Sequence, residues 1–162
     1  MLILHVVVCF IALLAGAFVL IALCGGRRQP TWGAILLSST ALISLTGFPL
    51  PSPPGTPTPD PAQIVGGIEL VVVAIAALAL YVKHLSRSWR GIYVVTIVLA
   101  VYLNAFVGVA QAFQKVGFLH AIAPTGKEPP FLVAQLLTLA LFVWIGVLGF
   151  KHLPGRPATE VI

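Results

Sequence analysis

The feature of this sequence that most constrains its fold is a series of apolar runs long enough to cross a lipid bilayer. A transmembrane helix needs roughly 20 mostly apolar residues to cover about 30 Å of hydrocarbon. Only 8% of the 162 residues are charged, whereas a soluble domain has roughly a quarter. We therefore predict an all-α polytopic transmembrane helical bundle in a single domain. The predicted spans are residues 2–24, 32–48, 64–85, 91–113 and 131–150.

The second run differs from the other four in its length and polarity. It is the shortest, and it carries hydroxyl side chains at Ser38, Ser39, Thr40, Ser44 and Thr46. A hydroxyl group in lipid needs a hydrogen-bond acceptor, so we expect the insertion of this segment to rely on neighbouring helices that accept these groups. The sequence predicts five spans, or four if this segment re-enters or lies on the surface instead.

The distribution of basic residues predicts the orientation of the bundle. If all five segments cross, the basic residues of one side are Arg27, Arg28, Lys83, Arg87, Arg90, Lys151 and Arg156. The opposite side then carries Lys115 and Lys127. By the positive-inside rule, the N-terminus lies outside and the C-terminus lies in the cytoplasm. Because the basic residues are scattered between apolar segments, the net charge of +5 does not indicate a nucleic-acid partner.

The two loops on the outer side differ in character. Residues 49–63 form the first, and the prolines from Pro49 to Pro61 predict an extended, polyproline-like connector. We interpret it as a stiff spacer, with a recognition site for a proline-binding partner as the alternative. In the second loop, Gly117 and Pro124 should interrupt the helix. Its apolar residues should pack on the membrane surface or cap the bundle.

Four polar side chains inside the predicted spans form the candidate functional site. Glu69 is the only acidic residue in a predicted span, and Asn104, Gln111 and Gln135 carry amides. Counting along the helices predicts that Glu69, Gln111 and Gln135 share a depth in the outer leaflet, with Asn104 near the midplane. One interpretation is an outward-opening substrate, proton or ion pathway in which Glu69 titrates. The other, which we favour, is hydrogen bonding that holds helices together.

The fourth run repeats small or short residues every four positions. They are Thr96, Ala100, Asn104, Gly108 and Ala112. Residues at this spacing share one face of a helix, and small side chains let another backbone approach closely. This small-residue seam predicts tight helix packing, either within the chain or between chains.

Histidines at helix ends raise the question of a cofactor. His84 and His152 each end a predicted span on the inner side, within a Lys-His-Leu triplet. Two helix-borne histidines at matching depth could hold a b-type haem. Alternatively, they reach the headgroups and complement the negative ends of their helices. Because the sequence has no zinc-spaced Cys and His cluster, Walker loop, HExxH or GxSxG, we expect no metal and no cofactor.

Several stretches in the second half of the chain resemble small uncharacterised bacterial inner-membrane proteins. The stretches are Tyr102–Phe106, Gln111–Lys115, His120–Thr125 and Glu128–Phe131. The resemblance implies a multi-pass protein of the bacterial inner membrane. It carries no assigned activity and no functional residue.

These observations lead to two main functional hypotheses. The first is a non-enzymatic integral membrane protein that acts through helix packing, as a homo-oligomer or as an accessory subunit of a membrane complex. The small-residue seam and the lack of catalytic motifs favour it, and its partners would be the lipid bilayer and other membrane helices. The second is a small transporter or channel with a polar site around Glu69. A haem-binding redox protein is a minor alternative.

Overall fold

The computed structural model describes residues 2–48, 59–86 and 88–152, and within these residues the chain is helical and has no strands. The predicted connector from Pro49 onward lies outside the described residues as far as residue 58. The elements are α1 (Leu2–Cys24), α2 (Pro30–Gly47), α3 (Pro61–Ala77), a π-helical segment (Leu78–Val82), α4 (Trp89–Lys115), α5 (Gly117–Ile122) and α6 (Pro129–His152).

Four helices in the described part of the chain are long and apolar enough to cross a membrane. They are Ile3–Cys24, Pro61–Val82, Trp89–Lys115 and Pro129–His152. The predicted all-helical fold class is confirmed to this extent, and the four helices indicate a multi-pass membrane protein. They correspond to the first, third, fourth and fifth predicted spans.

The helices α1 and α2 lie antiparallel along most of their length. Near the end of α1, the ring of Phe18 stacks on Trp32 with 4.6 Å between centroids. Near its start, the Nδ1 atom of His5 lies 3.0 Å from the Thr46 hydroxyl oxygen. The two contacts are more than ten residues apart on each helix, so α2 follows α1 through most of the bundle.

The centre of the bundle is α4, which packs against α1, α3 and α6. Ring contacts show that α4 and α6 are antiparallel: Tyr102 meets Phe142 at 5.7 Å, and Phe113 meets Phe131 at 5.4 Å. The apolar core is lined by α1, α2, α3 and α4. By contrast, α6 buries little of its surface and exposes large side chains such as Trp144 to the surroundings.

One end of the bundle gathers most of the described basic residues. There the Nδ1 atom of His152 lies 2.7 Å from the carbonyl oxygen of Cys24, which joins the last turns of α6 and α1. The Lys83 ammonium lies 5.4 Å from the ring centroid of Trp89, which joins the end of the third helix to the start of α4. We call this the basic end of the bundle. Its described basic residues are Arg27, Arg28, Lys83, Arg90 and Lys151.

The helix α3 begins at Pro61, three residues before the predicted span. Asp60 and Gln63 form a capping box: the Asp60 carboxylate accepts from the Gln63 backbone N–H at 2.8 Å, and the Gln63 side chain accepts from the Asp60 N–H at 3.1 Å. Proline is accepted in the first turn, where its missing N–H would have no partner in the helix. The prediction that residues 61–63 belong to a loop was therefore wrong, because Pro61 lies in the first turn of a helix that Asp60 caps.

The third helix ends earlier than residue 85, through a π-helical turn. The Lys83 N–H donates to the Leu78 carbonyl at 2.9 Å, and the Leu85 N–H donates to the Ala79 carbonyl at 3.0 Å. His84 and Leu85 take left-handed conformations, with φ of 45° and 57°. These left-handed conformations end the helix, and the Leu85 side chain lies in the core.

Most hydroxyl groups of α2 are satisfied by α2 itself. Ser38, Ser39 and Thr46 donate to the carbonyls four residues earlier, at 2.6 to 2.8 Å. Thr40 and Ser44 instead lie against the neighbouring helices. The expectation that neighbours accept all these groups was therefore wrong for Ser38 and Ser39, because a helix offers its own carbonyls to Ser and Thr. Thr46 has partners in both α2 and α1.

The loop after α4 contains a short helix that the sequence did not predict. The helix is interrupted next to Gly117, as predicted: α4 ends at Lys115, and α5 begins at Gly117, packs against α4 and ends before Pro124. Val116, Phe118 and Ile122 are exposed. Their exposure is compatible with the expected contact between this loop and the membrane surface.

A close approach of α1 to α4 at Gly16 generates a first prediction. A Cβ atom added at Gly16 would stand 2.7 Å from Cγ1 of Val101, a buried β-branched side chain with little rotational freedom. We expect Gly16→Ala to lower the free energy of unfolding by roughly 1 to 3 kcal/mol through overpacking. Thermal unfolding of the purified protein in detergent would measure this loss.

The matched control is Gly67→Ala on α3, where nothing lies within 4 Å of the added Cβ. It should leave stability unchanged or raise it by roughly 0.5 to 1 kcal/mol, because alanine favours a helix more than glycine. Equal stability of the two variants would contradict the close approach of α1 to α4.

Candidate functional site

The carboxylate of Glu69 lies in the interior of the bundle, between three helices. Its residue is 4% exposed. One oxygen, Oε2, accepts a hydrogen bond from the Ser44 hydroxyl of α2 at 3.1 Å. The other, Oε1, accepts from the Asn104 amide of α4 at 2.5 Å. Glu69 therefore faces the protein interior and joins α3 to both α2 and α4.

Asn104 extends this set of contacts. Its Nδ2 atom also lies 3.3 Å from the Thr40 hydroxyl oxygen and 3.1 Å from the Ala100 carbonyl oxygen. An amide nitrogen has two hydrogens, so these acceptors and Glu69 share them. We call Thr40, Ser44, Glu69 and Asn104 the Glu69 cluster. All four residues are buried.

Small residues allow the short side chains of the Glu69 cluster to meet. Gly66 lies one turn before Glu69 on α3, and a Cβ there would be 3.8 Å from the Ser44 Cα. Ala100 lies one turn before Asn104 on α4 and is fully buried. Because neither residue projects a long side chain, α2, α3 and α4 approach closely enough for direct hydrogen bonds.

The chemistry of the cluster is that of one acid among neutral groups. Among the described residues, Glu69 hydrogen-bonds only to the hydroxyl of Ser44 and the amide of Asn104. Both donors satisfy the carboxylate without supplying a positive charge. Glu69 is the member of the cluster that can take up or release a proton, so the cluster can either hold helices together or carry a proton.

Gln111 and Gln135, the two glutamines of the predicted polar layer, lie outside the Glu69 cluster. The Gln135 Nε2 atom donates to the Phe106 carbonyl oxygen at 3.1 Å, which ties α6 to α4. The Oε1 atoms of Gln111 and Gln135 are buried and have no hydrogen-bond partner among the described residues. Neither glutamine hydrogen-bonds to Glu69, so the side chains of the predicted polar layer are not joined to the carboxylate by direct hydrogen bonds.

Glu69 lies beside Asn104 rather than beside the glutamines because α3 starts earlier than predicted. With a start at Pro61, Glu69 lies about 12 Å along the helix rather than about 8 Å from residue 64. Asn104 lies about 16 Å before the end of α4 at Lys115. The deeper position brings Glu69 to Asn104, which the sequence had placed nearer the midplane.

The small-residue seam divides into two halves. Thr96, Ala100 and Asn104 are buried within the chain. Gly108 and Ala112 are partly exposed, and no described atom lies within 4 Å of a Cβ built on Gly108. The first half therefore packs inside this chain, and the second half has no close neighbour at Gly108.

The hydroxyl groups of Thr40 and Ser44 were predicted to need hydrogen-bond partners but not to belong to the site. They lie four residues apart, so they share one face of α2. Leu36 and Leu37, one turn earlier, belong to the core. Because Thr40 and Ser44 continue the face of α2 that carries these two leucines, the sequence pattern could have placed both hydroxyls toward the interior.

The histidines considered for haem lie at the basic end. His84 occupies the left-handed turn after the π-helical segment, and His152 contacts the carbonyl of Cys24. The carbonyl that His152 contacts belongs to the C-terminus of α1, not to that of its own helix α6. In residues 2–48, 59–86 and 88–152, no group of three His, Cys, Asp or Glu side chains could hold a metal ion.

Comparisons of the chain with protein-family models, curated proteins and solved structures find no match. The resemblance to bacterial inner-membrane proteins stays a prediction. The functional interpretation rests on the chain's own residues.

Removal of the Asn104 amide tests the structural importance of the cluster. In Asn104→Ala the Glu69 Oε1 atom loses its described donor, so we expect the free energy of unfolding to fall by about 1 to 2 kcal/mol. Denaturation in mixed detergent micelles would measure the change. The control Gln111→Ala removes an amide whose oxygen has no described partner, and it should have a smaller effect.

Combining Asn104→Ala with Glu69→Gln provides a further check. A neutral amide is less costly to leave buried than a carboxylate, so the double variant should recover part of the loss. A double variant less stable than Asn104→Ala alone would contradict the assignment of the effect to Glu69.

Proposed function

We propose that this chain is a non-enzymatic integral membrane protein that acts through helix packing, as a homo-oligomer or as an accessory subunit of a larger complex. The observation that carries the proposal is the second half of the small-residue seam on α4. Gly108 has no neighbour within 4 Å of its Cβ position, and Ala112 on the same face is partly exposed. A helix from another chain could approach α4 closely at this position.

Two glutamine side chains near this part of α4 have oxygens without a hydrogen-bond partner in the described chain. Gln111 follows Gly108 by three residues, so the two lie on one side of α4. The Oε1 atoms of Gln111 and Gln135 lack donors in the described chain. Both oxygens are enclosed by this chain, so rotation of the side chains would be needed to accept a hydrogen bond from a partner helix.

The exposed surface of α6 offers further area for contact. Leu136, Leu137 and Trp144 are each at least 60% exposed. In a membrane this surface meets either acyl chains or the helices of a partner. It belongs to the one of the four candidate spans that has the smallest share of buried residues.

We further propose that α2 is a fifth span, that the N-terminus lies outside and that the C-terminus lies in the cytoplasm of a bacterial cell. The antiparallel path of α2 along α1, from Trp32 to Thr46, supports a complete crossing. The basic end supports the orientation, because cytoplasmic loops are rich in Lys and Arg. The membrane would be the inner membrane.

Cysteine labelling tests this orientation. In a variant without Cys9 and Cys24, a cysteine at Ser52 should react with an impermeant maleimide on intact cells. A cysteine at Ser86, in the connection between α3 and α4, should react only after permeabilisation. The reverse pattern would contradict the orientation, and reaction of both on intact cells would contradict the proposed crossings.

Cross-linking tests the proposed contact surface. In the same cysteine-free background, Gly108→Cys should form a disulfide-linked dimer in native membranes under mild oxidation. Val95→Cys is the matched control, because Val95 is an exposed residue of the same helix away from the seam. Equal cross-linking at the two positions would remove the support for a specific contact.

The size of the purified particle provides the second measurement for this proposal. Light scattering in detergent should report an oligomer or a complex with a copurified subunit. A strictly monomeric particle that copurifies with no other protein would contradict the proposal.

A small proton-linked transporter is the second candidate, and the Glu69 cluster favours it. The cluster places one acid in the interior with neutral hydrogen-bond partners, and acids inside membrane spans often mark proton or ion pathways. In this case Glu69 would exchange protons with a path toward the outer face. Transport would then depend on its acidity rather than on its hydrogen bonds alone.

Glu69→Gln separates the two candidates. Its amide oxygen can accept from Asn104 while its amide nitrogen donates to the Ser44 hydroxyl, so we expect the fold to be retained. Proton flux would be measured with a pH-sensitive dye inside proteoliposomes. Flux by the unmodified protein that is abolished in a folded Glu69→Gln variant would support transport. Flux no faster than in empty liposomes would contradict it.

A further inference from the structure

A crevice at the basic end of the bundle has the chemistry of an anion site. It has a volume of about 520 Å³ and lies between the connection from α1 to α2, the π-helical segment and the start of α4. The residues that line it are Arg27, Arg28, Gln29, Pro30, Leu80 and Tyr93. None of them belongs to the Glu69 cluster or to the small-residue seam.

The polar groups of this crevice are available for a ligand. Arg27 and Arg28 are exposed, and their guanidinium groups form no hydrogen bond or ion pair with any described residue. Tyr93 is only 5% exposed, yet its hydroxyl likewise has no hydrogen-bond partner in the described chain. Gly33 leaves space beside this hydroxyl, since a Cβ there would lie 3.7 Å from it.

The charge around the crevice is uncompensated by the described acids. Asp60 and Glu128 lie at the starts of α3 and α6, at the opposite end of the bundle. Glu69 lies in the interior and bonds to Ser44 and Asn104. The guanidinium groups of Arg27 and Arg28, which both line the crevice, therefore attract an anion from outside the chain.

We propose that this crevice binds the phosphate group of an anionic membrane lipid. Arginine matches phosphate oxygens with paired N–H donors, and the Tyr93 hydroxyl supplies another donor. The site lies at the ends of helices that are long enough to span the bilayer, which is the depth of lipid headgroups. Leu80 and Pro30 present apolar surface on which the glycerol and first methylenes of a lipid can pack.

This site does not depend on helix packing or on transport as the function of the chain. It requires only that the basic end meets the membrane surface. Anionic lipids give the membrane surface a negative potential, which attracts the basic end. Binding there would stabilise the connection between α1 and α2 against the start of α4.

The test is lipid binding by the full chain purified in neutral detergent. We would titrate phosphatidylglycerol, phosphatidylcholine and inorganic phosphate separately and follow thermal unfolding together with lipid adducts in native mass spectrometry. We expect phosphatidylglycerol to bind and to raise the melting temperature more than phosphatidylcholine. Equal effects of the two lipids would overturn the proposal, and an equal effect of inorganic phosphate would assign the crevice to a free anion instead.

Variants then locate the binding. Arg28→Gln should weaken phosphatidylglycerol binding about fivefold, the change expected for one basic residue near an anionic surface. Lys151→Gln removes the same charge at the basic end but outside the crevice, so it should change binding less. Tyr93→Phe keeps the buried ring and should also weaken binding. Equal binding by Arg28→Gln and Lys151→Gln, or unchanged binding by Tyr93→Phe, would contradict the site.

Discussion

The contact on which the arrangement of α2, α3 and α4 depends is the hydrogen bonding of the Glu69 carboxylate. Apolar helices in lipid gain little by exchanging one apolar neighbour for another, so apolar contacts alone discriminate weakly between alternative packings. A buried carboxylate without donors is far more costly. Because Ser44 and Asn104 each donate to a different oxygen of Glu69, a shift of α2 or α4 along α3 would break one of these bonds.

The helical fold could be predicted from the sequence because hydrocarbon thickness sets the length of a span. The hydrogen-bond partners of Glu69 could not be predicted from the sequence, because they depend on where α3 begins. The capping box of Asp60 and Gln63 allows Pro61 to start the helix, and the longer helix carries Glu69 to the depth of Asn104. A proline-rich stretch indicates that a helix does not continue, but it does not show which proline begins the next one.

The sequence predicted that helices pack closely, but it did not predict which residues of the two helices meet. The seam on α4 correctly indicated close packing at Ala100, but the repeat looks the same at Gly108, where no described side chain approaches. Gly16 and Gly149 make closer contacts, with Val101 and Leu23 respectively. Each requires a small residue on one helix and a large one on another, so neither can be recognised from a single helix.

Some polar groups are hydrogen-bonded within the chain, and other groups have no partner in it. The two sets indicate different roles. The Glu69 cluster is closed, since both carboxylate oxygens have donors within the bundle. The second half of the seam and the crevice at the basic end have unfilled space or unpaired donors. A protein that acts through its contacts would meet its partners at such places, because the free energy of forming a new contact there is not offset by breaking an existing one. The closed cluster would then keep α4 in position to present Gly108 and Tyr93 at opposite ends of one helix.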